Sequence, residues 1–131
     1  MSLENKKALS ALRLEKADEA LSDAQMLLEL GRYNLAANRS YYAVFYAMRA
    51  VLALDGIDRK HHSGVIAEFR RLYIKTGIFE SEMSDIIRDL FDLRTDSDYD
   101  DFFVASKEEV AEQVTNAQSF LRSIRSYLNT L

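Results

Sequence analysis

The segment Asn38 to Gly56, NRSYYAVFYAMRAVLALDG, is the most apolar stretch of the chain, and its spacing is that of a helix. Set at about 100° per residue, Ala36, Ala43, Ala47, Ala50 and Leu54 fall on one narrow line. Small side chains on that line let another helix approach closely. Val44, Val51, Phe45, Leu52, Tyr41 and Met48 fill the adjoining arc. A helix apolar over more than half its circumference must be covered on several sides. The spacing therefore predicts the central helix of a bundle over Tyr33–Asp55. One wedge of it is polar, and holds Asn38, Arg39, Tyr42, Tyr46 and Arg49.

The remaining sequence supplies partners for that helix. The 131 residues contain no Pro and only four Gly, a balance that favours long helices. A first helix is expected from about Asn5 to Leu30, with Leu14, Ala17, Leu21, Ala24 and Leu28 in one stripe. Gly31 is its stop, and a tight reversal there makes the next helix antiparallel. A third helix is expected over His62–Thr76, with Val65, Ile66, Phe69, Leu72 and Tyr73 facing inward. A fourth is expected over Ser81–Arg94, with Met83, Ile86, Ile87, Leu90 and Phe91 facing inward. The acidic run TDSDYDDFFVA reads as the loop that follows. Ser106 and Glu109 form a capping box, and Val110, Val114, Ala117, Leu121, Ile124 and Leu128 continue as the stripe of a last helix. The expected architecture is all-α: an antiparallel bundle of four to five helices in one domain, residues 1–131.

Composition narrows the chemistry. With no Cys there are no disulfides, thiolate metal sites or cysteine nucleophiles. No run approaches the roughly 20 uncharged apolar residues of a membrane span. The charged start MSLENKKALSAL lacks a signal core, so the cytoplasm is the expected compartment. A net charge of −4 does not make a general nucleic-acid binder, although it allows a local basic patch.

Few residue patterns carry specific chemistry. The polar wedge on the second helix reads first as a solvated face. Its Arg and Tyr content also suits an interface, or phosphate contact with base stacking. His61 and His62 are adjacent and diverge by about 100° on a helix, so they are not a metal pair. His62 or Ser63 is expected to cap the third helix. Asp96, Asp98, Asp100 and Asp101 imitate the start of a calcium loop, but Asp101 and Lys107 stand where that loop needs Gly and Glu. A solvated turn is the better reading, with some of these acids pairing with arginines such as Arg94. Arg94, at the expected end of the fourth helix, complements the helix dipole. Nothing calls for a cofactor or a resident metal.

Several segments, in order, resemble the HEPN domain family. NRSYYAVFYAMRAVLALDG is similar to that family's second helix, RKHHSGVIAEF to the link and third helix, and LRTDSDYDDFF to an Arg–Asp–Tyr segment of one branch. The resemblance implies a dimeric helical bundle. It also implies kinship with metal-independent RNA endonuclease toxins that are paired with a minimal nucleotidyltransferase. Their motif is an Arg followed shortly by His, the Arg stabilising phosphorane charge and the His moving protons. Here Arg94 is present and Tyr99 stands where His is expected; a phenol with a pKa near 10 is a poor base at neutral pH.

The resemblance thus implies a subunit that binds nucleic acid, a nucleotide or a partner protein without robust catalysis. Arg94 would contact phosphate, and Tyr99 would hydrogen-bond or stack. Asn38, Arg39, Tyr42, Tyr46, Arg49, His62 and Asp98 would form the binding or interface set. One alternative is a working ribonuclease using Arg94 with Tyr99 or a spatially placed His62. Another is a structural homodimer joined through the helix-two wedge.

Overall fold

The computed structural model describes residues 1–131. It contains helices and no strand: α1 (Leu3–Glu29), α2 (Tyr33–Leu54), α3 (His62–Phe69), α4 (Glu82–Tyr99) and α5 (Lys107–Leu128). A π-helical turn, Arg70–Ile74, continues directly from α3. The antiparallel bundle expected from the spacing is therefore the observed architecture.

α2 packs against α1, α3, α4 and α5. Its alanine seam does what small side chains allow. Ala17, Ala20 and Ala24 of α1 share buried clusters with Ala36, Ala43 and Ala47 of α2. On the other arc, Tyr41, Val44, Met48, Val51 and Leu52 are fully covered, together with Phe69, Ile87, Phe120 and Ile124 from the surrounding helices. Each such side chain contributes about 1.5–3 kcal/mol relative to exposure.

The helix ends have local causes. The Ser2 hydroxyl accepts from the Asn5 N–H and starts α1. Gly31, at φ 74°, turns the chain into α2. At α5 the Ser106 hydroxyl accepts from the Glu109 N–H at 3.1 Å, and the Glu109 carboxylate accepts from the Ser106 N–H at 3.4 Å. That is the expected capping box.

Three expectations are corrected. The fourth helix does not stop at Arg94 but runs five residues further, to Tyr99. No Gly or Pro interrupts TDSDYD, and Asp98 sits four residues beyond Arg94, where the two pair along the helix. Arg94 is consequently inside the helix rather than at its dipole end. The third helix is not uniform: Lys75 N–H reaches back to Arg70 C=O at 2.8 Å, a wider turn. Neither His62 nor Ser63 caps α3; its N-cap is His61, which makes no side-chain capping bond.

Candidate functional site

The centre of the site is Arg94 on α4. Its Nη2 donates to Tyr42 Oη at 2.9 Å, and its Nε lies 2.9 Å from Asp98 Oδ2. The second contact is an ion pair without an aligned N–H bond, since the Nε hydrogen has no acceptor on its line. Three rings surround the guanidinium. Its Cζ is 5.4 Å from the centre of Tyr41, 5.3 Å from Tyr42 and 5.5 Å from Tyr99. Electron-rich ring faces offset part of the cost of removing this cation from water.

α2 supplies the support. Asn38 Nδ2 donates to Asp98 Oδ2 at 2.9 Å. Arg39 Nε donates to Asn38 Oδ1 at 3.0 Å, and the Arg39 guanidinium lies 5.0 Å from the Tyr42 ring. No carboxylate pairs with Arg39. Tyr46 borders Tyr42 at 5.9 Å. None of the wedge residues is fully exposed. The wedge is thus a lined surface and not a freely solvated face.

His62 joins from the start of α3. Its ring stacks on Phe45 at 4.2 Å and on Tyr41 at 5.6 Å, and Nδ1 shares a 2.7 Å hydrogen bond with Tyr41 Oη. Nε2 makes no bond within the chain. Burial pushes the imidazole below the usual histidine range, and the charges of Arg94 and then Arg49 push the same way. Its resting form at neutral pH is therefore uncharged. Burial also raises the Tyr41 phenol well above its usual value, against the lowering effect of Arg94. Tyr41 stays a neutral phenol and locks one imidazole nitrogen.

Arg49 does not join the Arg94 cluster. Its Nη2 donates to Asp58 Oδ1 at 2.7 Å, and Arg13 Nη2 donates to the same oxygen at 2.7 Å. The Arg13 and Arg49 hydrogen bonds hold the Asp58 carboxyl below the usual carboxylate range. Arg49 still reaches Phe45, at 5.9 Å, the ring on which His62 stacks, and its charge acts on His62 together with that of Arg94.

Of the residues expected from sequence, Asn38, Arg39, Tyr42, Tyr46, His62, Arg94, Asp98 and Tyr99 come together. Tyr41, Arg13, Asp58 and Asn34 were missed. Tyr41 reads as core and is core, except for its hydroxyl. Arg13 did carry a signal: it precedes Ala17, Ala20 and Ala24 at helical spacing, a charge on the buried stripe. Asn34 holds the loop after α4, accepting from Ala105 N–H at 2.8 Å and donating to Phe103 C=O at 3.1 Å. Asp58 and Asn34 had no pattern to reveal them.

An antiparallel all-helical bundle with one arginine boxed by tyrosines beside a neutral histidine defines the class: a small helical-bundle protein with a polar, aromatic-lined cluster on its central helix. Within that class the chain belongs to the HEPN domain family, whose sequence pattern matches residues 10–127. It is 35% identical over 116 residues to a UPF0332 protein of Thermotoga maritima, covering 88% of each chain. It is 33% identical over 128 residues to a Methanocaldococcus jannaschii protein named "Putative toxin MJ0142", covering 98% of this chain and 86% of that one. Among solved structures, TT1696 of Thermus thermophilus shares the fold with a TM-score of 0.76 at 21% identity, over 89% of this chain and 96% of that one. An archaeal HEPN homologue, ST0689, shares it at 0.62 and 18%, over 90% and 96%. No helix is long and apolar enough to cross a membrane.

Proposed function

We propose that this chain is a toxin-type HEPN subunit that binds RNA through its phosphates, acting as one domain, in a homodimer, with a minimal nucleotidyltransferase as partner. The relatives named as toxins support the setting. The observation that carries the RNA reading is the state of the two arginines over Tyr42. Arg94 is oriented by Tyr42 and Asp98, while its Nη1 makes no bond within the chain. Arg39 has no carboxylate at all and projects over the same ring. Two cations with free donors beside one aromatic ring suit a phosphodiester, and the 72% exposed Tyr99 offers a stacking surface. Phe102 and Val104, 96% and 80% exposed on the adjoining loop, supply an apolar contact for a second protein surface.

Binding of a fluorescent single-stranded RNA, followed by anisotropy across salt, tests this reading. Arg39→Ala and Arg94→Ala are each expected to weaken binding and to lower the salt slope by about one. Unchanged affinity in both variants removes the reading.

His62 favours a second reading, a metal-independent RNA endonuclease. Its free Nε2 would take the proton of a ribose 2′-hydroxyl as that oxygen bonds to phosphorus. The P–O5′ bond would break, the 5′ oxygen taking a proton from water, while Arg94 stabilises the charge on the phosphorane oxygens. The products would be a 2′,3′-cyclic phosphate and a 5′-hydroxyl. Cleavage lost in both His62→Gln and Arg94→Ala would support it. Mixed RNA left intact for hours by purified protein would remove it.

A further inference from the structure

A groove runs between α3 and α4, outside the Arg94 cluster. It is a slot of about 280 Å3 with Ile66, Ile87 and Phe91 as its apolar lining, and Ser63, Arg70 and Asp92 at its edges. We propose that this slot is a nucleobase subsite, one ring away from the Arg94 cluster, that favours bases carrying an exocyclic amino group. The proposal rests on the reading of Arg94 as a phosphate contact.

Two residues link the slot to the cluster. Phe91 lies one turn before Arg94 on the same face of α4. Its ring meets Tyr41 edge-on at 5.8 Å, and Tyr41 is the ring that faces both Arg94 and His62. Ser63, on the opposite edge, directly follows His62. The slot and Arg94 thus lie on two sides of the fully buried Tyr41 ring, and Phe91, half-buried and lining the slot, is available for stacking.

Selectivity comes from Asp92. Nearby Asp85 and Asp89 are both engaged by Arg88, at 3.3 and 3.2 Å. Asp92 makes no ion pair or side-chain hydrogen bond, is exposed, and borders the slot. An ionised carboxylate only accepts. It can take an N–H from the amino group of adenine or cytosine, whereas uracil presents carbonyl oxygens on both sides of its one edge N–H. Beyond Asp92 the surface is acidic, with Asp89, Asp96, Glu109 and Glu112. That face repels phosphate, so a backbone beside the slot runs along its arginines, Arg94 beyond Phe91 and Arg70 and Arg88 in the slot wall.

The test uses the full chain and three labelled single-stranded RNAs of equal length: oligoadenylate, oligocytidylate and oligouridylate. Oligoadenylate and oligocytidylate are expected to bind about tenfold more tightly than oligouridylate. Asp92→Ala is expected to bring all three within about twofold of one another, and Phe91→Leu to weaken all of them about tenfold. Asp92 lies at the surface, so its variant tests the idea even where Phe91→Leu unfolds. Equal wild-type binding of the three RNAs, or a preference that survives Asp92→Ala, overturns the subsite. The phosphate reading then stands as long as Arg94→Ala still weakens binding. No binding to any RNA overturns both.

Discussion

Asn38 on α2 donates to Asp98 on α4 at 2.9 Å, and the accepting oxygen is the one that also lies 2.9 Å from Arg94 Nε. One carboxylate oxygen thus couples the central helix to the last turn of α4 and sets the side of Arg94. A double-mutant cycle of Asn38→Ala and Asp98→Ala, read by urea unfolding, is expected to give a coupling of about 1 kcal/mol. Strict additivity would mean that the pair does not join the helices.

Asp58 holds Arg13, which is only 8% exposed. Asp58 is itself about half exposed, so the pair is weaker than a buried one. Asp58→Asn leaves the Arg13 charge without its counter-ion and is expected to lower stability by about 2 kcal/mol, between the surface and buried cases. Arg13→Met, which removes the buried charge and keeps the stem packing, is expected to lose less. Equal losses in urea midpoint for the two variants would contradict this.

His62 titrates below the ordinary histidine range, through burial first and then the Arg94 and Arg49 charges. The unfolded chain therefore binds its proton more readily than the folded one. The stability linked to neutral His62 is complete above the unfolded pKa of about 6.5 and is lost as pH falls toward the folded value. His62→Gln is expected to flatten the dependence of stability on pH between about pH 7 and pH 5. Denaturant titrations at several pH values measure the slope. A slope identical to that of the wild type would assign the titration to another group.

Asn34 bonds to Ala105 and Phe103 and pins the loop between α4 and α5. Asn34→Ala is expected to destabilise the protein by about 1–3 kcal/mol, because partner backbone groups lose their bonds. Faster amide exchange should appear first at Phe103–Ala105. Uniform exchange over the whole chain would instead indicate global loosening.

The bundle was readable because each helix repeats one local rule. The α2 seam, the α5 stripe and the Ser106–Glu109 box are set by residues three or four apart, and the structure keeps all of them. The misjudged end of α4 has the same origin in reverse. Four acids in a short run look like a solvated turn until Arg94 and Asn38 are seen to engage one of them. Half of that information lies on another helix.

Sequence alone determined that this chain is an all-helical bundle around α2, that α2 carries one polar wedge, and that Arg94 is followed by Tyr99 and not by histidine. Tertiary structure decided what those residues face. It carried His62, far from Arg94 in the chain, onto the Tyr41 and Phe45 rings, sent Arg49 away to Asp58, and joined Asn38 to Asp98. The reason is physical. Helical periodicity is a property of neighbours along the chain, whereas the partner of a polar side chain is chosen by which helices pack together and in what register.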